Sequence, residues 1–381
     1  MPGFELIGKE EQNEINDLFD KSGILFRHGF DNLRNGVYKV REFEKNFSKY
    51  MSVNDALAVT SGTAALKVAL EALGIKRGDE VITSAFTFVA TVEAIVETRA
   101  VPVIANIDKT LNISVTDIES KITSKTKAII IIHMLGVATD MDAIIELANK
   151  HSLKVIEDTA WGCGGEYKGK KLGTIGDVGC YSFDFAKTMT TGEGGMIIAR
   201  DHDVLERAKA FHDHGHENNP KLPRWEDSRT SSGFNFRMSE MQGAVGLAQL
   251  RKLDFIIEKQ IENKNKIINA LSNIKDQLFE FRQKPKDSKD TSDALIILTE
   301  SNQKARVIRD KLLAKGYGTK ILPEAITWHF AGDWDHITEI KQESLENIEE
   351  SRALLSRCVA LPIGVNMSLD FEVIKECFDN D

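Results

Sequence analysis

The 381-residue chain contains few of the residues that staple or interrupt a fold, with only 4 cysteines and 7 prolines. None of the cysteines forms a CxxC pair or a zinc or iron–sulfur spacing, so we expect no metal site. Cysteines this sparse argue against a disulfide scaffold and favour reduced thiols. The longest apolar run, near residues 128–132, is far too short to cross a bilayer. The N-terminal residues lack the apolar core of a secretory signal, so we expect a cytoplasmic protein.

Positive charge is also in deficit. Lysine and arginine number 49 against 58 aspartate and glutamate residues, which gives a net charge of −9. This balance argues against binding along a nucleic-acid backbone, although a local basic patch could survive it. We therefore expect no nucleic-acid partner and no membrane partner. Hydrophobic residues make up 42% and charged residues 28%, as in an ordinary globular enzyme, and the length predicts two or three domains.

The first two-thirds of the chain alternates strand-like and helix-like segments. Short β-forming runs predict strands at residues 80–84, 101–105, 128–133 and 153–157, of which the run at residues 128–133 is apolar through residue 132 and predicts a strand buried on both faces. Apolar residues at helical spacing predict helices at residues 63–73, 88–98 and 140–151. This βα rhythm predicts an open α/β layer with a mostly parallel sheet and helices on both faces.

The remainder of the chain does not continue this alternation of strands and helices. Residues 212–236 are polar and contain Pro220 and Pro223, which predicts a long loop of the kind that is usually functional or disordered. The later patterns predict one strand at residues 294–299 and helices at residues 239–271, 303–315, 341–357 and 370–378. We expect three parts: an N-terminal arm over residues 1–13, a large α/β domain over residues 14–250 and a smaller α+β domain over residues 251–381.

Two motifs predict an anion site and a partner for a cation. The run Thr60–Leu66 (TSGTAAL) lies where a strand turns into a helix, and free N–H groups and hydroxyls there could bind phosphate. A simple Ser or Thr helix cap is the alternative. The run Val155–Ala160 places Asp158 at the carboxyl end of a buried strand, where ligands bind in open α/β sheets. Asp158 could hold a cationic ring nitrogen or merely cap a helix.

One lysine differs from the others in its context. Lys187 follows the aromatic segment Ser182–Ala186 (SFDFA) and precedes a glycine-rich turn. Most lysines are solvated surface charges. A desolvated lysine near another cation, however, loses its proton more easily and becomes a Schiff-base nucleophile. Lys187 does not belong to a phosphate-binding loop, because no glycine precedes it at the required spacing.

Two further segments belong to the long loop and its exit. Residues 233–240 (GFNFRMSE) place Asn235 and Arg237 beside aromatic residues, either in a functional site or at a simple helix entry with an extended arginine. The histidines of residues 212–216 (HDHGH) alternate as in some metal sites. No third or fourth converging ligand is evident, so a loop that contacts substrate or an interface is the preferred interpretation.

The order and spacing of these motifs are more specific than any single one. The succession SGTAAL, TFVAT, EDxA, SFxxxKxxxTGEGG and GxNxRMSE resembles the DegT/DnrJ/EryC1/StrS family of sugar aminotransferases. The resemblance extends from the N-terminal FELIG segment to Leu361-Pro362 and the run Met367–Asp370. It implies the fold-type-I architecture of enzymes that use pyridoxal phosphate (PLP). It also implies a homodimer with shared active sites, L-glutamate as amino donor and a keto or aldehyde sugar as acceptor.

The resemblance assigns roles to individual residues. Lys187 would bind PLP covalently and move the proton in both half-reactions, and Asp158 would pair with the pyridine nitrogen. Phe88 would stack on the ring face. The phosphate would be held by Gly62, Thr63, Ser182 and, from the neighbouring subunit, Asn235.

One position departs from the family pattern. Three residues after Asp158 the family usually has Gln or His, which contacts the ring hydroxyl of PLP, whereas this chain has Trp161. The indole has a single N–H donor, which could replace that contact, or the ring could simply fill space. A non-catalytic regulator or scaffold with the PLP fold is therefore an alternative. Lys187 and the scattered cysteines disfavour the iron–sulfur dehydratases of the family, and a nicotinamide dehydrogenase would need a GxGxxG motif that the chain lacks.

Several segments further resemble 8-amino-3,8-dideoxy-manno-octulosonate aminotransferases, namely MPGFELIG, residues 27–35, the DHGH loop and residues 327–329. This resemblance implies an aldehyde sugar acid of lipopolysaccharide synthesis as acceptor, and a nucleotide-linked 4-keto or 3-keto sugar is the alternative. The candidate substrate-binding residues are Arg27, His28, Arg34, His214, Arg237 and His329. Arginine suits such an acceptor because it grips a carboxylate through two N–H groups.

Overall fold

The computed structural model describes residues 2–219, 221–272, 274, 279–368 and 370–378. Pro220 of the predicted loop, Leu369 of the C-terminal motif, and Met1 and residues 379–381 at the ends of the predicted domains lie outside the described residues. The described residues form three β-sheets connected by α-helices and short 3-10 turns.

The secondary structure confirms the elements predicted between residues 63 and 157, each to within two residues at either end. The strands in chain order are β1 (Leu57–Val59), β2 (Glu80–Ser84), β3 (Val101–Ala105), β4 (Thr126–Ile132), β5 (Lys154–Asp158), β6 (Glu166–Tyr167), β7 (Lys170–Lys171), β8 (Val178–Ser182), β9 (Gly195–Ala199), β10 (Phe279–Phe281), β11 (Ser288–Lys289), β12 (Ala294–Thr299) and β13 (Cys358–Pro362). The helices are α1 (Pro2–Glu5), α2 (Lys9–Lys21), α3 (Lys39–Met51), α4 (Gly62–Ala72), α5 (Val89–Glu97), α6 (Val115–Lys121), α7 (Met141–His151), α8 (His202–Phe211), α9 (Glu240–Leu271), α10 (Asn302–Ala314), α11 (Glu349–Ser356) and α12 (Phe371–Phe378).

A seven-stranded sheet forms the centre of the molecule, in the order β1-β9-β8-β5-β4-β2-β3. Strand β9 pairs antiparallel with both of its neighbours, while the remaining pairs are parallel. The sheet is buried on both faces, because Ala128 and Ile130 of β4 pack into one apolar cluster and Ile129 and Ile131 into another. Helices α4, α5 and α8 cover the first face, and α3, α6, α7 and α9 cover the second. The predicted mixed, mostly parallel α/β layer is confirmed.

The C-terminal part contains a smaller antiparallel sheet, in the order β10-β12-β13. Leu295 and Ile297 of β12 face α10, α12 and the end of α9. Ile296 and Leu298 face the opposite way and join a cluster that includes Phe86 of the central layer. The two sheets are thus connected through a shared apolar cluster.

Two predicted domain boundaries fall inside helices, since α9 runs unbroken through residue 250 and α2 through residue 13. The division into an arm and two domains stays a prediction. The prediction of one helix over residues 341–357 is wrong. A 3-10 turn at Gln342–Leu345 ends near Asn347, whose backbone is left-handed (φ 64°), and α11 follows. A residue in this conformation cannot continue a right-handed helix.

Within the described residues, the helices are too short or too polar to cross a membrane. No group of three or more His, Cys, Asp or Glu side chains there is arranged to hold a metal ion.

A buried ion pair connects the N-terminal region to the start of α9. Arg34 and Glu240 have fully buried side chains, and Arg34 Nη1 lies 3.1 Å from Glu240 Oε1. The second oxygen of Glu240 accepts the N–H of Val40 at 2.9 Å. The remaining guanidinium donors of Arg34 bond to the carbonyl oxygens of Gly29, Phe26 and His28. Neither charge has access to water, so each depends on the other.

We expect Arg34→Ala to lower the free energy of unfolding by about 3–5 kcal/mol, because the Glu240 charge is left buried without its partner. The matched control is Lys259→Ala in the same helix, which removes an exposed pair with Glu262 and should cost less than about 1 kcal/mol. Denaturant titration followed by circular dichroism measures both values. An equal loss in the two variants would contradict a role for the buried pair.

Candidate active site

A cavity of about 360 Å³ lies at the carboxyl ends of β5 and β8, beside the N-termini of α4 and α5. This is the edge at which open α/β sheets bind ligands. Eight of the residues predicted from the sequence line it, namely Gly62, Thr63, Phe88, Asp158, Trp161, Ser182, Lys187 and His329. Residues from five separate parts of the chain therefore converge on one cavity.

The start of α4 presents hydrogen-bond donors to this cavity. Ser61 caps the helix, with its Oγ accepting the N–H of Ala64 at 3.1 Å. The other N–H groups of a first turn have no carbonyl partner in the helix, and the helix dipole favours an anion beside them. Gly62 is needed because a Cβ at this position would lie 2.7 Å from the Cβ of Ser182. The helix cap that was the alternative to an anion site is therefore present, and Gly62 and Thr63 beside it still line the cavity.

Asp158 at the end of β5 is bound by neutral donors. Its Oδ2 accepts the hydroxyl of Thr91 at 3.0 Å, and its Oδ1 accepts the N–H of Ala160 at 3.1 Å. Burial raises the pKa of Asp158, although these hydrogen bonds and the charge of Lys187 oppose the rise. The chain continues in a turn, so the alternative that Asp158 caps a helix is wrong. This carboxylate would be stabilised by a protonated nitrogen in the cavity.

The neighbouring acid, Glu157, points to the opposite face of β5. Its oxygens accept three backbone N–H groups of the turn at residues 173–176, at 2.6–2.8 Å. His133 Nε2 lies 2.9 Å from the same carboxylate. Both side chains are fully buried. Because successive residues of a strand face opposite ways, Asp158 faces the cavity, whereas Glu157 binds the turn at residues 173–176 on the other face of β5.

Lys187 lies on the turn that follows β8. Its N–H donates to the carbonyl of Asp184 at 3.1 Å, and its own carbonyl accepts the N–H of Gly3 at 3.1 Å. Burial lowers the pKa of Lys187 to about 8, and the positive charge of Lys320 acts in the same direction, while Asp184 opposes it. The sequence-based expectation of a desolvated lysine near another cation matches this environment.

Trp161 lies directly against the amine of Lys187. The Nζ atom is 3.4 Å from the centre of an indole ring, and the Nζ of Lys320 is 4.5 Å from it. Lys320 is held by both carboxylate oxygens of Asp293, at 2.7 and 2.8 Å. The carbonyl of Trp161 accepts the hydroxyl of Thr291 at 3.0 Å. Trp161 therefore contacts two ammonium groups through its ring face.

Aromatic rings form the remaining wall. Phe88 is 44% exposed, and its ring centre lies 5.6 Å from that of His329. Burial lowers the pKa of His329 to about 4, and the charges of Lys187 and Lys320 contribute. His329 is therefore neutral near pH 7. A flat ligand could lie against the accessible face of Phe88.

The structure does not bring the other six predicted residues into this cavity. Arg237 binds the buried Asp213, and His28 Nε2 lies 3.2 Å from the same carboxylate. His214 and Asn235 are exposed on the loop predicted over residues 212–236. Arg27 and Arg34 are buried with Glu44 and Glu240 as their partners. Within this protomer, the two arginines that we expected to bind a substrate carboxylate instead bind carboxylates of the protein.

The residues of the cavity fit PLP. An amine with a lowered pKa suits a covalent bond to an aldehyde, and Asp158 is a buried carboxylate with neutral donors that could hold a ring nitrogen. The missing Cβ at Gly62 keeps the first turn of α4 accessible to a phosphate. Ser182 lies beside it with a hydroxyl group. Lys187 would thus hold the amine-reactive carbon of PLP and Asp158 its ring nitrogen. Phe88 would lie on the ring face, and Gly62 and Ser182 would hold the phosphate.

Two residues of the site had no predicted role. Thr91 lies within the TFVAT motif in the first turn of α5, and its hydroxyl also lies 2.8 Å from that of Thr87, just before the helix. Lys320 belongs to no such motif. It lies 133 positions after Lys187 in an unremarkable segment, and only the folded chain places it beside Trp161.

We expect the PLP-free protein to react with PLP at a rate that rises with pH and is half-maximal near pH 8, because the neutral amine of Lys187 is the reactive form. At pH 7 roughly a tenth of such an amine is neutral, about 300-fold more than for an ordinary lysine. Appearance of the visible absorption band in a stopped-flow instrument measures the rate.

Two variants should move this midpoint in opposite directions. Lys320→Gln removes a positive charge and frees Asp293, so the pKa of Lys187 should rise; Asp158→Asn removes a negative charge, so it should fall. Lys49→Gln, on an exposed part of α3, is the control and should leave the midpoint in place. Shifts of the same sign in all three variants would contradict this assignment.

Comparison with known proteins agrees with this geometry. The chain matches the DegT/DnrJ/EryC1/StrS aminotransferase family over residues 26–376. It is 37% identical over 311 residues to GDP-perosamine synthase of Escherichia coli O157:H7, which covers 81% of this chain and 80% of that protein. It is 33% identical over 381 residues to the spore coat polysaccharide biosynthesis protein SpsC of Bacillus subtilis strain 168, covering 96% and 92%.

Solved structures support the same relationship. An aminotransferase from Psychrobacter cryohalolentis superimposes with a TM-score of 0.84 at 27% identity, covering 97% of this chain and 96% of that one. The 3-amino-5-hydroxybenzoic acid synthase gives a TM-score of 0.85 at 25% identity, covering 99% and 98%. Taken with a lysine and a carboxylate that suit PLP in one cavity, these matches show that the chain belongs to the DegT/DnrJ/EryC1/StrS family of PLP-dependent sugar aminotransferases.

Proposed function

We propose that the protein transfers an amino group from L-glutamate to the carbonyl carbon of a sugar, with Lys187 as the group that moves the proton. The observation that carries this proposal is the pairing in one cavity of a lysine whose pKa is about 8 with a buried carboxylate, Asp158. PLP, when bound, supplies an electron-withdrawing ring that stabilises negative charge at the carbon that loses its proton.

The residues of the chain divide the remaining work. The amine of Lys187 is partly neutral near pH 7–8, so it can take a proton from the donor and return it to another atom. Asp158 keeps the ring nitrogen protonated. Gly62, Thr63 and Ser182 bind the phosphate and Phe88 fixes the plane of the ring, which keeps the reacting carbon within reach of Lys187.

The first candidate acceptor is the aldehyde of an octulosonate, a free sugar acid. Two of the four segments that carry the likeness to the octulosonate aminotransferases lie beside the cavity. Gly3 donates its N–H to the carbonyl of Lys187 and Phe4 packs 6.5 Å from Phe185, while His329 lines the wall. These contacts support an acceptor that enters beside the N-terminal FELIG segment and residues 327–329.

The second candidate acceptor is a nucleotide-linked keto sugar. It is supported by the identity of 37% to a GDP-perosamine synthase, whose printed name contains a nucleotide sugar. The arginines that a free sugar acid would need are also bound to Glu44 and Glu240 in this protomer. Trp328, which is 70% exposed beside His329, could stack on a base.

A spectroscopic experiment tests the proposed function. Purified protein with PLP should show the visible band of the lysine-bound cofactor, and L-glutamate should bleach it in the wild type. Lys187→Ala should lack the band and its bleaching. Lys187→Ala that behaves like the wild type would contradict the assignment, and a wild-type band that glutamate never bleaches would point to another donor. No band in the wild type would favour the non-catalytic regulator.

The two acceptors are then distinguished by reversing the half-reaction. The bleached protein is mixed with either an 8-oxo-octulosonate or a GDP-linked 4-keto sugar, and return of the visible band is followed. We expect one of them to restore the band at least 100-fold faster per molar concentration, because the two differ in charge and size. Restoration by neither would reject both candidates.

We also propose a homodimer in which Asn235 of the partner subunit reaches the phosphate. In one protomer Asn235 is exposed and does not line the cavity. The same loop exposes large apolar side chains that a second protomer could cover, with Trp225 83% and Phe234 57% exposed. Arg237, two residues after Asn235, would come close to the acceptor of the partner subunit's site.

Mixing two inactive variants tests the shared site. Lys187→Ala lacks the amine, and Asn235→Asp places a negative charge against the phosphate. In a mixed dimer one of the two sites regains both wild-type residues, so random exchange should restore about one quarter of wild-type activity. No recovery after verified subunit exchange would contradict a shared site, and a monomer in light scattering would reject the dimer.

A further inference from the structure

A second cavity, of about 300 Å³, lies in the C-terminal part of the molecule and shares no lining residue with the first. It is bounded by the middle of α9, by β12 and by the segment at residues 281–292. One wall is apolar and consists of Val137, Ile261, Ile268, Phe281, Ala294, Leu295 and Ile296. An apolar wall of this size suits the organic part of a small ligand.

The other wall is strongly basic. Lys264, Arg282, Lys284 and Lys289 line it, against Asp290 as the one carboxylate among the described lining residues. The chain as a whole has a net charge of −9, so this is a local reversal of sign. A concave surface of one charge concentrates ions of the opposite charge.

Asp290 does not neutralise this wall. Its two oxygens are shared by Lys264 and Lys284, the latter at 3.1 Å. Arg282 has no anionic partner within the described residues, because its donors bond to the neutral oxygens of Thr110, Met134 and Asn112. Burial lowers the pKa of Arg282 to about 10, although Asp290 and Asp108 oppose the change. Burial also lowers the pKa of Lys264, and the charges of Lys284 and Arg282 act in the same direction while Asp290 opposes it.

A short segment connects this cavity to the candidate active site. Asp290 begins the segment at the second cavity, and Thr291 donates its hydroxyl to the carbonyl of Trp161 at 3.0 Å. Asp293 ends it and binds Lys320, whose Nζ lies 4.5 Å from the centre of the Trp161 ring. An anion in the second cavity would compete with Asp290 for its two ammonium partners, at the start of the segment on which Trp161 rests.

We propose that this cavity is an effector site for a small phosphate-bearing molecule. Its phosphate groups pair with the ammonium groups of Lys264, Lys284 and Lys289, and its organic part lies against the apolar wall. Phosphate suits the wall because it offers several acceptor oxygens and more than one negative charge to converging lysines. Binding of the anion in this cavity changes the contacts of residues 290–293, and through them the position of Trp161 and the environment of the Lys187 amine beside it.

Calorimetry of the PLP-loaded protein with inorganic pyrophosphate tests the site. Bound PLP blocks the phosphate-binding turn at α4, and the matched variants distinguish binding in the second cavity from binding elsewhere on the protein. The double variant Lys284→Gln/Lys289→Gln removes two exposed ammonium groups and leaves the buried Lys264–Asp290 pair intact. The matched control, Lys286→Gln/Lys259→Gln, removes the exposed charge of Lys286 and the half-exposed charge of Lys259, neither of which lines the cavity. We expect at least tenfold weaker binding in the first and unchanged binding in the second.

The absorption spectrum of the bound cofactor provides the second readout. Pyrophosphate should shift the pH midpoint of the visible band in the wild type and in the control, but not in Lys284→Gln/Lys289→Gln. Absence of saturable binding, or equal weakening in both double variants, would show that the wall is only a solvated basic groove. Saturable binding without a spectral shift would reject the effector role. Citrate that binds as tightly as pyrophosphate would reject the preference for phosphate.

Discussion

The close contact of three backbone segments beneath the cavity is the constraint on which the candidate site depends. A Cβ on Gly62 would lie 2.7 Å from the Cβ of Ser182, and a Cβ on Gly195 would lie 2.4 Å from the carbonyl oxygen of Ser61. Only glycine at both positions lets the turn before α4 close against the ends of β8 and β9. That closure directs the N-terminus of α4 into the cavity. Strand β5 of the same sheet places Asp158 at this cavity, and the turn after β8 adds Lys187. The anion site, the carboxylate and the amine therefore share one cavity, because the turn before α4 can pack directly against β8 and β9.

Strands β2 to β5 of the central sheet could be predicted from the sequence because each contains a short stretch of apolar or β-branched residues that needs no distant partner to be recognised. The helices α2 and α3 were not predicted, and both are held by α9, some 200 positions later in the chain. Phe43 and Phe47 of α3 pack with Leu247 and Leu253, while Glu11 of α2 binds Gln249 and Lys252. Helix 341–357 was predicted as one piece because a positive φ at Asn347 leaves no mark on apolar spacing. Local pattern thus predicts elements that bury themselves in a sheet and misses those whose stability comes from packing with remote helices.

The site shows the same division. Residues that belong to a motif at the end of a strand reached the cavity, as Asp158, Ser182 and Lys187 did. The arginines did not, because a sequence cannot tell a guanidinium that awaits a substrate carboxylate from one that binds a carboxylate of the protein. The partner of Arg34 is Glu240, 206 positions away, and both belong to segments that the motifs marked as functional. Lys320 illustrates the converse, since a lysine without a motif lies at the centre of the electrostatics around Lys187. Only the proposed dimer would bring Asn235 and Arg237 to the cavity.

Trp161 is the position at which the sequence analysis expected a departure from the family pattern, and its surroundings argue for a tuned contact rather than a space-filling ring. A positive charge over an indole face is stabilised, so the contact of 3.4 Å with Lys187 Nζ by itself favours the protonated amine. Burial and the charge of Lys320 favour the neutral amine, and together they lower the pKa of Lys187 to about 8. The indole therefore moderates the effect of burial, and Lys320, held near the same ring by Asp293, strengthens it. A Gln or His at this position would have no comparable face for two ammonium groups. Burial and Lys320, opposed by the nearby carboxylates of Asp184, Asp158 and Asp293, give the amine a pKa of about 8. An amine with this pKa can both accept and return a proton near neutral pH.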